Sequence, residues 1–123
     1  RQMLGGGVRQ GGVLAAAALC ALDNVDDLAA DHANARRLAS GLSGVGWEVG
    51  EPQTNIVLAR VADVPRTLEV LRGLGVLALG GGGRVRFVTH RDVTEADIDA
   101  VVDRVAGETS RRAVQPVQAA EAG

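Results

Sequence analysis

Apolar positions along the chain recur at helical spacing in four stretches and in strand-like fashion in three. Val8 to about Asn24 predicts a first helix. From Val13 to Leu22 it is apolar nearly all the way round and rich in alanine, a pattern expected of a helix buried on most sides or set between domains. Gly11 and Gly12 near its start each weaken it by roughly 1 kcal/mol relative to alanine, so close backbone packing is expected there. Asp23 or Asn24 is placed to cap a second helix, Val25 to about Leu42, with Leu28, His32, Ala35, Leu38 and Leu42 on its buried face. Trp47 to Val49 reads as a short extended piece, and Thr54 to Val61 as a strand of branched and apolar residues. Asp63 caps a third helix starting near Pro65, with a Leu68, Leu71, Leu74 stripe and a stop at Gly73 and Gly75. Val76 to Leu79 and Arg84 to His90 are further strands, separated by the glycine run Gly80 to Gly83. Thr94 with Asp97 forms a capping-box pair opening a last helix, whose Ile98, Val101, Val102 and Val105 face the core to about Ala106. From Arg111 to Gly123 the periodicity is lost, and a disordered tail is expected.

This order implies an α+β fold, a small three-stranded sheet (54–61, 76–79, 85–90) with helices on one face. A long first helix would join it to whatever precedes Arg1. Residues 1–24 form the glycine loop and linking helix, 25–110 the small domain and 111–123 the tail. At 123 residues and 46% hydrophobic, the chain has material for one core, built from Leu, Val, Ile and Ala because only 2% is aromatic. A net charge of −2 and the shortage of aromatic platforms argue against nucleic acid as a partner. The run Val13–Leu22 is half the ~20 residues of a membrane span. With one cysteine and nothing like a signal peptide, the expectation is a soluble, cytoplasmic protein with no membrane partner. The chain opens on Arg1 and contains no lysine, all 13 cationic side chains being arginine. It therefore reads as a piece of a longer protein, and chemistry requiring a lysine Schiff base cannot be completed by these residues.

Taken singly, the candidate groups are ambiguous. Gly5–Gly7 followed by Arg9 and a helix start could cradle an anion, or could be a plain glycine loop with a solvated arginine. Arg86, between apolar strand residues, is either an edge-strand charge or a bidentate carboxylate clamp. His90 reads as a strand-end hydrogen-bonder, His32 as a helix-face residue and Cys20 as a small core residue. These do not compose a metal set, and no serine has a triad-like setting. The loop Gly80–Gly83 lacks a following helix, which excludes a dinucleotide or phosphate-loop signature and leaves a flexible loop.

In combination the motifs are specific. RQMLGGGVRQGGVLAAAALCAL, DHANARRLA at Asp31–Ala39, QTNIV at Gln53–Val57 and VRFVTHRDV at Val85–Val93 follow one another in this order. The chain, from Arg1 to about Val105, closely resembles the C-terminal part of the low-specificity L-threonine aldolases, pyridoxal-phosphate enzymes grouped with the β-eliminating lyases. The resemblance implies the small C-terminal domain of an aspartate-aminotransferase-type fold, downstream of the domain that carries the cofactor and its lysine. It implies cleavage of threonine or allo-threonine to glycine and an aldehyde by the complete enzyme, with a β-hydroxy amino acid as substrate, a homodimer or homotetramer as assembly, and no catalysis by this piece alone. By the same resemblance Arg86 grips the substrate's α-carboxylate, and Arg9 approaches the cofactor phosphate, that of the neighbouring subunit. Gln2 stands where a lysine is common in the family. No catalytic or metal-binding residue is carried over, since the family's basic histidines would lie upstream. Two other readings remain open: another β-eliminating or retro-aldol lyase of the same fold type, and a free-standing non-catalytic module that binds a carboxylate or mediates assembly.

Overall fold

The computed structural model describes residues 9–110. The expected tail at 111–123, the Gly5–Gly7 loop and Gln2 lie outside the described residues. In chain order the elements are α1 (Gly12–Asp23), a 3-10 turn (Val25–Asp27), α2 (Leu28–Gly44), β1 (Glu48–Val49), β2 (Ile56–Arg60), α3 (Val64–Gly73), β3 (Leu79–Gly81), β4 (Arg84–Val88) and α4 (Glu95–Ser110).

The α+β architecture holds, with one strand more than the apolar pattern implied. The sheet is antiparallel and four-stranded, in the order β1-β2-β4-β3. Its extra member is the extended piece after Trp47, which pairs Glu48 with Arg60 and Val49 with Ala59. Only two residues long, it lacks an alternating pattern of its own, and neighbouring β2 completes it. The strand expected at 76–79 instead begins at Leu79, because the glycines themselves pair: Gly80 lies opposite Val85 and Gly81 opposite Arg84. The glycine run is therefore a hairpin and not a flexible loop. Gly82 and Gly83 form its two-residue turn with φ of 57° and 73°, the left-handed conformation that such turns demand. A side chain at Gly80 would run into Val64 and Leu68, so this glycine also lets β3 lie against α3.

Strict alternation on the two central strands separates the faces. Val57, Ala59, Val85 and Phe87 are buried, while Leu58, Arg60, Arg84, Arg86 and Val88 point the other way and are exposed. The helices cover only the first face. The α2 helix buries Asp31, Ala35, Leu38, Ala39 and Leu42 against it. Its stripe runs through Asp31 and Ala39 instead of the expected Leu28 and His32; Leu28 is exposed and His32 half-buried. Ala35, Leu38 and Leu42 are buried as expected, so the helical phase is kept; Leu28 is the first residue of α2, at its exposed end beside the 3-10 turn. Asn24 closes α1 instead of capping α2, its Nδ2 donating to the Cys20 carbonyl at 2.6 Å. Trp47 and Phe87 meet as a tilted aromatic pair, centroids 6.3 Å apart, in an otherwise aliphatic core. The α4 helix packs along α2, closely enough that a side chain at Gly41 would collide with Val102.

The remaining caps follow the sequence. Asp63 Oδ1 accepts from the Arg66 N–H at 2.9 Å at the start of α3. Thr94 and Asp97 exchange their bonds reciprocally, Thr94 N–H and Oγ1 donating to Asp97 Oδ2 at 2.9 and 2.6 Å. The first helix differs from expectation. It starts at Gly12, preceded by a turn in which Gln10 has a φ of 56°, and it buries none of its residues within this chain. Cys20 is accordingly exposed and not a core residue.

Two predictions follow from these bonds. The Thr94 hydroxyl and then its N–H hold the Asp97 carboxyl below the usual carboxylate range, and the Arg37 guanidinium does the same for Asp99. A lowered folded-state value adds stability that is fully present above the ordinary carboxylate pKa of about 4 and is lost as pH falls through the lower folded value. Tm measured against pH should therefore decline below about pH 4, and more shallowly in Asp97→Asn. The Thr89 hydroxyl, 1% exposed, donates to the Asp31 carbonyl at 2.7 Å, and Thr89→Val, which removes it while keeping the shape, should cost about 1 kcal/mol in urea unfolding.

Candidate functional site

The free face of the sheet carries the chemistry. Arg86 occupies the middle of β4, flanked in register by Leu58 of β2 and Leu79 of β3. It is exposed, and among the described residues no carboxylate lies within 4 Å of it. Leu58, Leu79, Arg84, Arg86 and the backbone of Gly80–Gly82 line an open depression of about 570 Å³. A planar guanidinium between two leucines keeps its five donors free for a planar acceptor such as a carboxylate.

What holds Arg86 is a hydrogen-bond knot just past the end of β4. The Thr89 hydroxyl donates to the Asp31 carbonyl at 2.7 Å, tying the strand end to the first turn of α2. Asn55 brackets the same residue: its carbonyl accepts from the Thr89 N–H at 3.0 Å and its Nδ2 donates to the Thr89 carbonyl at 2.8 Å. From α2, Asn34 Nδ2 donates to the Val93 carbonyl at 2.8 Å, and Arg37 forks onto Asp99 at 2.6 and 2.8 Å. Arg91 reaches Asp27 at 3.6 Å. Three of the motifs picked out in the sequence thus converge here. Asn34, Asn55 and Thr89 were given no individual role by the sequence reading. The available signal was their type: amides and a hydroxyl between apolar positions have to find partners when buried.

The other candidates are placed as follows. Arg9 is exposed in the turn ahead of α1 and does not line the depression at Arg86. The helix behind it has no acidic residue in its first turn and no side-chain cap. Its leading N–H groups and the adjacent guanidinium are thus available to an anion. His90 is the strand-end hydrogen-bonder expected, Nδ1 accepting from the Asp92 N–H at 3.3 Å.

Comparison with known proteins decides the family. The sequence model of the Beta-eliminating lyase family matches residues 1–64, more than half of the chain. The chain belongs to the beta-eliminating lyase family. This beta-eliminating lyase chain is 41% identical over 108 residues to low-specificity L-threonine aldolase 1 of Arabidopsis thaliana, covering 80% of the chain and 30% of that protein. It is 38% identical over 104 residues to the low specificity L-threonine aldolase of Escherichia coli K12, covering 82% and 31%. It therefore spans about 30% of the length of these relatives. Among solved structures, a Burkholderia pseudomallei protein assigned as an aminotransferase superposes with a TM-score of 0.57 at 29% identity, over 66% of this chain and 26% of that one. The serine palmitoyltransferase of Sphingomonas wittichii gives 0.59 at 18% identity, over 71% and 26%, a likeness of fold alone. The expected fold type and family are both found. No helix among the described residues is long and apolar enough to cross a membrane.

Proposed function

We propose that this chain is the C-terminal small domain, with the glycine loop and linking helix of residues 1–24, of a pyridoxal-phosphate-dependent aldolase that cleaves threonine or allo-threonine to glycine and acetaldehyde. The observation that carries the reading is Arg86: a guanidinium without a carboxylate partner among the described residues, on the sheet face that no helix covers, with its strand pinned by Thr89 and Asn55. The relatives named above are threonine aldolases.

Bound pyridoxal phosphate supplies an electron sink at the substrate's Cα. Arg86 contributes orientation. Its two parallel N–H donors grip the α-carboxylate, which sets the direction of the Cα–Cβ bond that is to break. The strand, and not a loop, carries this grip, so the cost of positioning is met on folding and not on binding. Arg9 serves the cofactor phosphate. The uncapped, acid-free start of α1 fits a dianion, since dipole and guanidinium favour the same charge. The lysine and proton-transferring groups belong to the rest of the enzyme, because this chain contains no lysine. We further propose a cytoplasmic homodimer or homotetramer, in which α1 packs against the large domain or a neighbouring subunit. Its Val13, Leu14, Leu19 and Leu22 are each at least 63% exposed in this chain.

In the full-length enzyme, Arg86→Ala should lower kcat/KM for threonine at least about 10-fold through loss of a charge-assisted pair. Unchanged threonine kinetics would remove Arg86 from the site. Arg9→Ala should raise the dissociation constant for pyridoxal phosphate, read by absorbance during dialysis against cofactor-free buffer. Equal retention by wild type and variant would take Arg9 out of the phosphate site.

A further inference from the structure

The free sheet face holds more positive charge than an α-carboxylate requires. Arg84 lies two residues before Arg86 on the same face, and Arg60 stands directly opposite Arg84 in the ladder. Like charges facing each other across antiparallel strands are destabilising. One carboxylate answers them: Glu48 reaches Arg60 Nη1 at 3.6 Å. Among the described residues Arg84 has no carboxylate within 4 Å, and it shares the depression of about 570 Å³ with Arg86. The apolar groups between and beside them, Leu58 and Leu79, are 39% and 64% exposed. Two guanidinium groups without a carboxylate partner among the described residues, beside exposed leucines, offer two cationic points to a ligand with two anionic ends. Their Cα atoms are separated by two strand steps, about 6.6 Å, and both side chains are long and flexible.

We propose that Arg84 is a specificity-determining residue that receives a second carboxylate, so that the site takes β-hydroxy amino acids with an acidic side chain, β-hydroxyaspartate being the shortest. The inference rests on the aldolase reading. Arg86 holds the α-carboxylate and Arg84 the distal one. Cleavage breaks the Cα–Cβ bond. The β-hydroxyl proton passes to the enzyme's base, the β-carbon leaves as the aldehyde of glyoxylate, and Cα takes up a proton to give glycine. No oxidant or further reactant is needed.

The test uses the full-length holoenzyme and compares wild type, Arg84→Gln and Arg84→Lys with β-hydroxyaspartate and threonine as substrates. Calorimetric titration of L-aspartate against L-alanine gives a binding readout free of turnover. The expected result is cleavage of β-hydroxyaspartate to glyoxylate and a selectivity over threonine that falls about 10-fold or more in Arg84→Gln. Most of the loss should be in KM, with partial recovery in Arg84→Lys. The preference for aspartate over alanine in titration should fall in parallel. Threonine cleavage without β-hydroxyaspartate cleavage, or a selectivity and an aspartate preference unmoved by Arg84→Gln, overturns the role of Arg84 and leaves the aldolase reading standing. Failure to cleave either substrate overturns both.

Discussion

The Thr89 hydroxyl, donating to the carbonyl of Asp31, joins the end of β4 to the start of α2, and the geometry of the free sheet face depends on that junction. Thr89 sits on the buried side of the strand, at 1% exposure, so its hydroxyl has to find an acceptor within the protein. Asn55 closes the other side, extending the β2–β4 pairing one step past the last regular strand residue. Arg86 lies three residues back along the same strand. Its side chain emerges on the opposite face because a strand alternates. A slip of one residue in this register would put the arginine into the apolar core and Phe87 into solvent, so the junction also fixes the face on which Arg86 emerges.

The molecule is one-sided. Helices α2 and α3 cover one face of the sheet, and α4 lies along α2, held there by the fork of Arg37 onto Asp99. The other face keeps Leu58, Leu79 and Val88 exposed beside three arginines, and α1 stands clear with its aliphatic side chains outward. The chain spans about 30% of the length of the relatives named above, and its buried side chains form a core cluster of their own.

Much of this was legible along the chain. The caps at Asp63 and at Thr94 with Asp97 are local chemistry, decided within four residues, and they appear as read. The strands β2 and β4 and the core faces of α3 and α4 follow from period. What was misread depends on pairing and cover that an apolar period does not name. The two-residue β1 exists only because β2 lies beside it. The buried stripe of α2 keeps its expected phase through Ala35, Leu38 and Leu42, and only its first turn differs, where Asp31 is buried and Leu28 is exposed. The glycine run became a hairpin because Arg84 and Val85 came to lie opposite its first residues. The exposure of Cys20 and of α1 could not be read either, since an all-round apolar helix predicts burial without naming the cover.

By itself, the sequence determined the family, through motifs long enough to be specific, and the chemical types available: arginine for every cationic side chain and no lysine. It also determined the α+β composition, because periods of 3.6 and 2 are local properties. Tertiary structure alone decided that Asn34, Asn55 and Thr89 form one knot, and that Arg60, Arg84 and Arg86 share a face with a single carboxylate among them. Such proximity is set by strand register and helix packing between residues as far as about 60 positions apart. No local pattern encodes it until the core has closed.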